Sequence, residues 1–121
     1  RRLALRRPTG DIEVQVFRLG DAVLAGFGCE LFCEVKHALQ AASPFAHSFF
    51  AALANGGNGY VPIREAFAHG GYETCIGIAS QHDEAACDLL QASALRQIKT
   101  LLADTVTISL EELFHDEAKA Y

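Results

Sequence analysis

Apolar and polar residues alternate with a period of two from Ile12 to Arg18, which predicts a strand with one buried face. Gly20-Asp21 supplies a turn, and Ala22 to Phe27 is an unbroken apolar run, the pattern of a more buried strand. The two read as a hairpin. From Glu30 to Ala42 the period changes. Leu31, Val35, Ala38, Leu39 and Ala42 recur at three- and four-residue spacing, which predicts an amphipathic helix ended by Ser43-Pro44. Ser48 to Ala54 predicts a third strand, and Asn55-Gly56-Gly57-Asn58-Gly59 a loop. Arg64 to Ala68 predicts a single helical turn broken by Gly70-Gly71, and Glu73 to Ala79 a fourth short strand.

Asp83 to Ala103 carries the longest helical pattern, with a stripe of Ala86, Leu89, Leu90, Ala94, Ile98, Leu101 and Leu102. Ser80 and Asp83 have the spacing of a capping box. Beyond it, Thr105 to Ser109 is β-branched, and Ser109 with Glu112 marks a short terminal helix from Leu110 to Ala118. The order β-β-α-β-loop-β-α, opened by a β-hairpin and carrying a long C-terminal helix, predicts an α/β fold with a mixed sheet, not a doubly wound parallel one.

The chain has 121 residues, one domain's length, and half of them are apolar. That excludes an intrinsically disordered chain. A formal net charge of −5 argues against a nucleic-acid binder, which needs a basic footprint. No apolar run approaches the ~20 residues of a transmembrane helix. Residues 1–10 form a basic lead-in, read as a solvated segment or as a lipid-binding arm. Residues 104–121 read as a C-terminal extension with a short helix. The chain starts Arg1-Arg2 and contains no Met, the signature of a piece of a longer protein.

The four cysteines, Cys29, Cys33, Cys75 and Cys87, form no C-x-x-C pair and read as reduced, small apolar residues. Gly26-Phe27-Gly28 invites a dinucleotide reading, but Leu31 stands where the fingerprint needs its third glycine, and no complete βαβ unit is expected to start there. The five histidines show no H-x-H or H-x-x-x-H spacing, so they do not make a zinc site by themselves. Without G-x-S-x-G, a self-contained serine hydrolase finds no support.

Glu30 falls where the second strand hands over to the helix. It reads either as a carboxylate favoured by the helix N-terminus or as a cleft-rim group where α/β sheets bind ligands. Tyr60 and Tyr72 each follow glycines, twelve residues apart. Each reads either as a packed aromatic with its hydroxyl satisfied or as a phenol presented at a site.

These residues fall into one pattern. Gly28-Cys29-Glu30, then Asn55 with Gly59-Tyr60-Val61-Pro62-Ile63-Arg64-Glu65, then Gly71-Tyr72-Glu73, together resemble the last part of the catalytic domain of neutral/alkaline non-lysosomal ceramidases, in their bacterial branch. The resemblance spans roughly residues 11 to 103. It implies a zinc amidohydrolase that splits the N-acyl bond of a ceramide-like lipid amide. It also implies that Glu30 and Tyr60 are zinc ligands and that Tyr72 is an active-site tyrosine, while two further zinc ligands, both histidines, come from sequence upstream of Arg1. The pattern departs from the family at Gly28-Cys29, where Pro-Gly is usual, at Gly57, where an aromatic is common, and at Ile63, where Thr is common. A non-catalytic α/β binding or assembly module is the alternative. A piece of a larger domain is expected to leave apolar surface at Ile12 to Phe17 and at Phe45, Phe49 and Phe50, covered by self-association or by docking with the upstream part; the alternative is that these residues pack against the helix from Asp83 to Ala103.

Overall fold

A computed structural model describes residues 11–77 and 79–103. Both flanking segments, with the strand and helix expected beyond residue 103, lie outside the described residues.

Strands β1 (Val14–Leu19) and β2 (Ala22–Phe27) form the predicted antiparallel hairpin, with Val14 opposite Phe27 and Leu19 opposite Ala22. A two-residue strand β3 (Glu30–Leu31) and helix α1 (Cys33–Ala42) follow. Strand β4 (His47–Ala51) then returns parallel to β2, giving the sheet order β1-β2-β4. A parallel return needs a crossover, and α1 is its helix. A βαβ unit therefore does start at β2, contrary to expectation. Strand β5 (Tyr60–Val61) pairs parallel with β3, and helices α2 (Arg64–His69) and α3 (Ala86–Ala103) complete the chain. The fold is α/β, with a mixed sheet opened by a hairpin, the predicted element order and a long C-terminal helix.

Alternation along the strands divides the sheet into two unlike faces. Val16, Val23, Ala25, Phe27 and Phe50 point inward against Val35 and Leu39 of α1 and Leu90, Ala94 and Ile98 of α3. Arg18, also inward, lays its guanidinium over the Phe45 ring and donates from Nη1 to the Leu101 carbonyl at 2.9 Å. The opposite face carries Phe17, Leu24 and Phe49 in one row across all three strands. Of the aromatics expected at the surface, Phe45 is buried, Phe50 half-buried and Phe49 exposed.

Several boundaries differ from the sequence pattern, each for a local reason. α1 starts at Cys33 because Glu30 and Leu31 are extended and pair with Tyr60 and Val61. Periodicity alone does not distinguish a residue on the helix from one just before it. α3 starts at Ala86. Asp83 accepts the Ala85 N–H on its carboxylate at 3.0 Å and the Ala86 N–H on its carbonyl, while the buried Ser80 hydroxyl donates to the Tyr60 carbonyl, so no capping box forms. In the stripe of α3, Leu89 and Leu102 are exposed and Cys87 takes a core position. Among the described residues the stretch from Glu73 to Ala79 holds an isolated bridge, Ile76 to Ser80, in place of a strand.

Candidate functional site

Glu30 and Tyr60 are register partners, each the first residue of its two-residue strand. The junction is held mainly by main chain. The Glu30 N–H donates to the Gly59 carbonyl at 2.9 Å, and the Tyr60 N–H to the Ala79 carbonyl at 2.8 Å. Gly59 has φ +75°, and a Cβ there would stand 2.4 Å from the Ala79 oxygen, so only glycine fits. Upstream, Asn58 grips the Gly28 carbonyl twice, through its main-chain N–H at 3.0 Å and its Nδ2 at 2.8 Å. Leu53 and Ala54 donate to the Cys29 and Phe27 carbonyls. The glycine-rich loop therefore lies against the backbone that carries Glu30. The space beside Gly26 and Gly28 that a dinucleotide phosphate would need is filled by Ala54, Gly56 and Asn58.

Tyr72 arrives from the turn after α2. Its hydroxyl is hydrogen-bonded to that of Tyr60 at 3.2 Å, and the two rings meet edge to face with centroids 5.4 Å apart. Glu30 and Tyr60 are half-buried, while Tyr72 is 62% exposed. The hydrogen bond shared with Tyr72, then that to Glu30, with partial burial and the Glu30 charge adding, raise the Tyr60 phenol above its ordinary pKa. Residues separated by 42 positions in sequence thus form a cluster of one carboxylate and two phenols at one corner of the fold.

Glu30 does not sit in the first turn of a helix, so the helix-dipole reading of it falls. Two further residues shape the corner. His82 Nε2 lies 2.8 Å from the Asn58 carbonyl, and Ser80 Oγ contacts the Tyr60 carbonyl at 3.3 Å. The sequence marks neither as a positioning residue, because their partners are main-chain atoms of a distant loop. Arg64, the first residue of α2, pairs with Asp88 at 2.8 Å and Glu84 at 3.4 Å, which ties α2 to the start of α3. At this exposure the pairs contribute little to stability.

Glu30 and Tyr60 offer two oxygen donors on adjacent strands, a donor type that zinc accepts, but a tetrahedral site needs four ligands, or three and a water. Among the described residues no three His, Cys, Asp or Glu side chains cluster to hold a metal. Two oxygens are half of such a set, and zinc bound there would have to displace the proton that Tyr72 and Glu30 help Tyr60 to keep. Nor is any helix among them long and apolar enough to cross a membrane. Comparison with protein-family models, with characterised proteins and with solved structures gives no match.

Proposed function

We propose that this chain is the C-terminal part of a zinc-dependent amidohydrolase acting on a lipid amide of the ceramide type. The observation that supports the reading is the convergence of Glu30, Tyr60 and Tyr72, the three residues the family resemblance marks. In this reading Glu30 and Tyr60 hold zinc together with two histidines from upstream sequence, and zinc supplies an activated water and a polarised carbonyl. Tyr72, exposed beside Tyr60, would turn its single O–H from the Tyr60 oxygen to the oxygen that gains charge when the amide is attacked. Asn58 and Gly59 hold the Glu30 strand in place.

The test is hydrolysis of a fluorescent ceramide by the zinc-loaded protein expressed from its entire reading frame. Glu30→Gln is expected to abolish turnover, and Tyr72→Phe to lower kcat by about 10²- to 10³-fold, as for loss of one oxyanion donor. The 121-residue chain alone, with two ligands, is expected to bind zinc weakly or not at all in calorimetry. Unchanged turnover in Glu30→Gln, or no ceramide hydrolysis by the zinc-loaded protein, removes the proposal. A second reading, a binding or assembly module, draws on a different observation, the apolar outer face of the sheet.

A further inference from the structure

β2 has no polar residue on either face, the composition of a strand covered on both sides. Its inner face is covered by α1 and α3. Among the described residues its outer face is covered only at Gly26, by Ala54, and is open at Leu24. Phe17, Leu24 and Phe49, in register across the sheet, are 58%, 44% and 58% exposed, and Leu19 in the next row is 83% exposed. With 150–250 Å² for a large aromatic and somewhat less for a leucine, these four leave roughly 400 Å² of apolar surface in water, the size of the largest and often functional patch on a soluble monomer.

We infer that this face is the contact between two copies of the chain. Three observations favour a second copy. The first is charge. The chain carries a formal −5, so two copies repel; yet the outward positions of the three strands hold no Asp, Glu, Lys or Arg, and Gln15 and His47 are their only polar members. Like-charged molecules meet at least electrostatic cost through such a face. The second is area. About 400 Å² from the four large residues of each copy, with the rim added, brings the total near the ~1,000 Å² that separates a specific contact from a casual one. The third is shape. Two sheets pack face to face ~10 Å apart when both inner faces are apolar, and a two-fold axis sets the same row against itself. The copies thus form a dimer with the helices outermost and the Phe17–Leu24–Phe49 rows crossing at its centre. This inference does not rest on the hydrolase reading, because the row lies on the sheet and not at the Glu30–Tyr60 junction.

The experiment is sedimentation velocity of the full 121-residue chain from roughly 1 to 300 μM, a span that covers micromolar affinity. Wild type is expected to pass from monomer to dimer across it. Phe49→Lys and Phe17→Lys change exposed side chains and are expected to weaken the dimer by at least tenfold, with circular dichroism unchanged. Phe49→Ser repeats the measurement should a lysine disturb the sheet. Leu89→Lys, an equally exposed leucine on α3, is expected to leave the dimer intact. A wild type that stays monomeric throughout overturns the inference, and so does a 121-residue chain that dimerises while the protein expressed from its entire reading frame does not, which gives the face to the upstream part. So does a dimer that survives both lysine variants, which places the contact elsewhere. A monomer that binds phosphatidylcholine vesicles through Phe17 and Phe49 also overturns it, and makes the face a lipid-contacting surface.

Discussion

Phe27 and Ile98 sit where a three-stranded sheet and two helices exclude water from close-packed apolar side chains. Glu30 and Tyr60 sit on strands of two residues each, and their positions depend on main-chain hydrogen bonds to the Gly59 and Ala79 carbonyls and on the bond Asn58 donates to Gly28. Glu30 is three residues from Phe27 in sequence, yet different forces place the two. Burial in the body is collective and nondirectional, so many sequences satisfy it. The corner is directional. It needs a residue without a Cβ at one position and an amide side chain at another. A ligand site gains from this, because directional bonds fix carboxylate and phenol positions more closely than apolar packing does.

The contrast breaks first if the body tolerates truncation. Phe27→Ala is expected to cost ~3–5 kcal/mol of global stability, as for other buried aromatics, measured by urea denaturation. A loss below 1 kcal/mol would show that the sheet and helices are not held by that packing.

Gly59→Ala tests the corner. The new methyl meets the Ala79 carbonyl and its backbone must keep φ +75°, so a loss of about 1–3 kcal/mol is expected. Amide resonances of Glu30 and Tyr60 should shift while those of β1 stay in place. A change spread evenly over the sheet would mean that the corner and the body are one cooperative unit.

Asn58→Ala removes the side-chain bond to the Gly28 carbonyl and leaves the main-chain bond, so about 0.5–1.5 kcal/mol is expected. Hydrogen exchange sharpens the comparison here. The Glu30 and Tyr60 amides should exchange faster in the variant, with Val23 and Ala25 unaffected.

The smallest effect is in thiol chemistry. Cys33 and Cys75 are exposed and should react quickly with a disulfide reagent at neutral pH, while buried Cys29 and Cys87 lag until unfolding. Burial, then the neighbouring Cys87 thiol and the Glu30 charge, push the Cys29 thiol up to about 11. Burial, then the Asp88 and Glu65 charges, push the Cys87 thiol above its ordinary value. Unfolded thiols therefore lose protons that the native state keeps. Their contribution to stability is complete below the unfolded thiol pKa and declines as pH rises from there through 11, which alkaline denaturation would register. Equal reactivity of all four thiols at neutral pH would mean that the core around Cys29 opens readily.

Sequence alone determined the hairpin, the helix through Val35 and Leu39, the long helix through Ala94 and Ile98 and hence the α/β order, because burial on one face imprints a period of 2 or 3.6 on the residues. It also singled out Glu30, at the end of an apolar strand, and Tyr60 and Tyr72, each beside glycines. Only the tertiary structure decided that Glu30 is a strand residue beside Tyr60, that Ser80 braces Tyr60 and does not cap a helix, and that Leu89 faces water. Pairings such as Glu30 with Tyr60 or His82 with Asn58 join main-chain and side-chain atoms across 24 to 30 positions. A hydrogen bond between distant segments leaves no period in the chain, so it becomes legible only when the fold brings its two ends together.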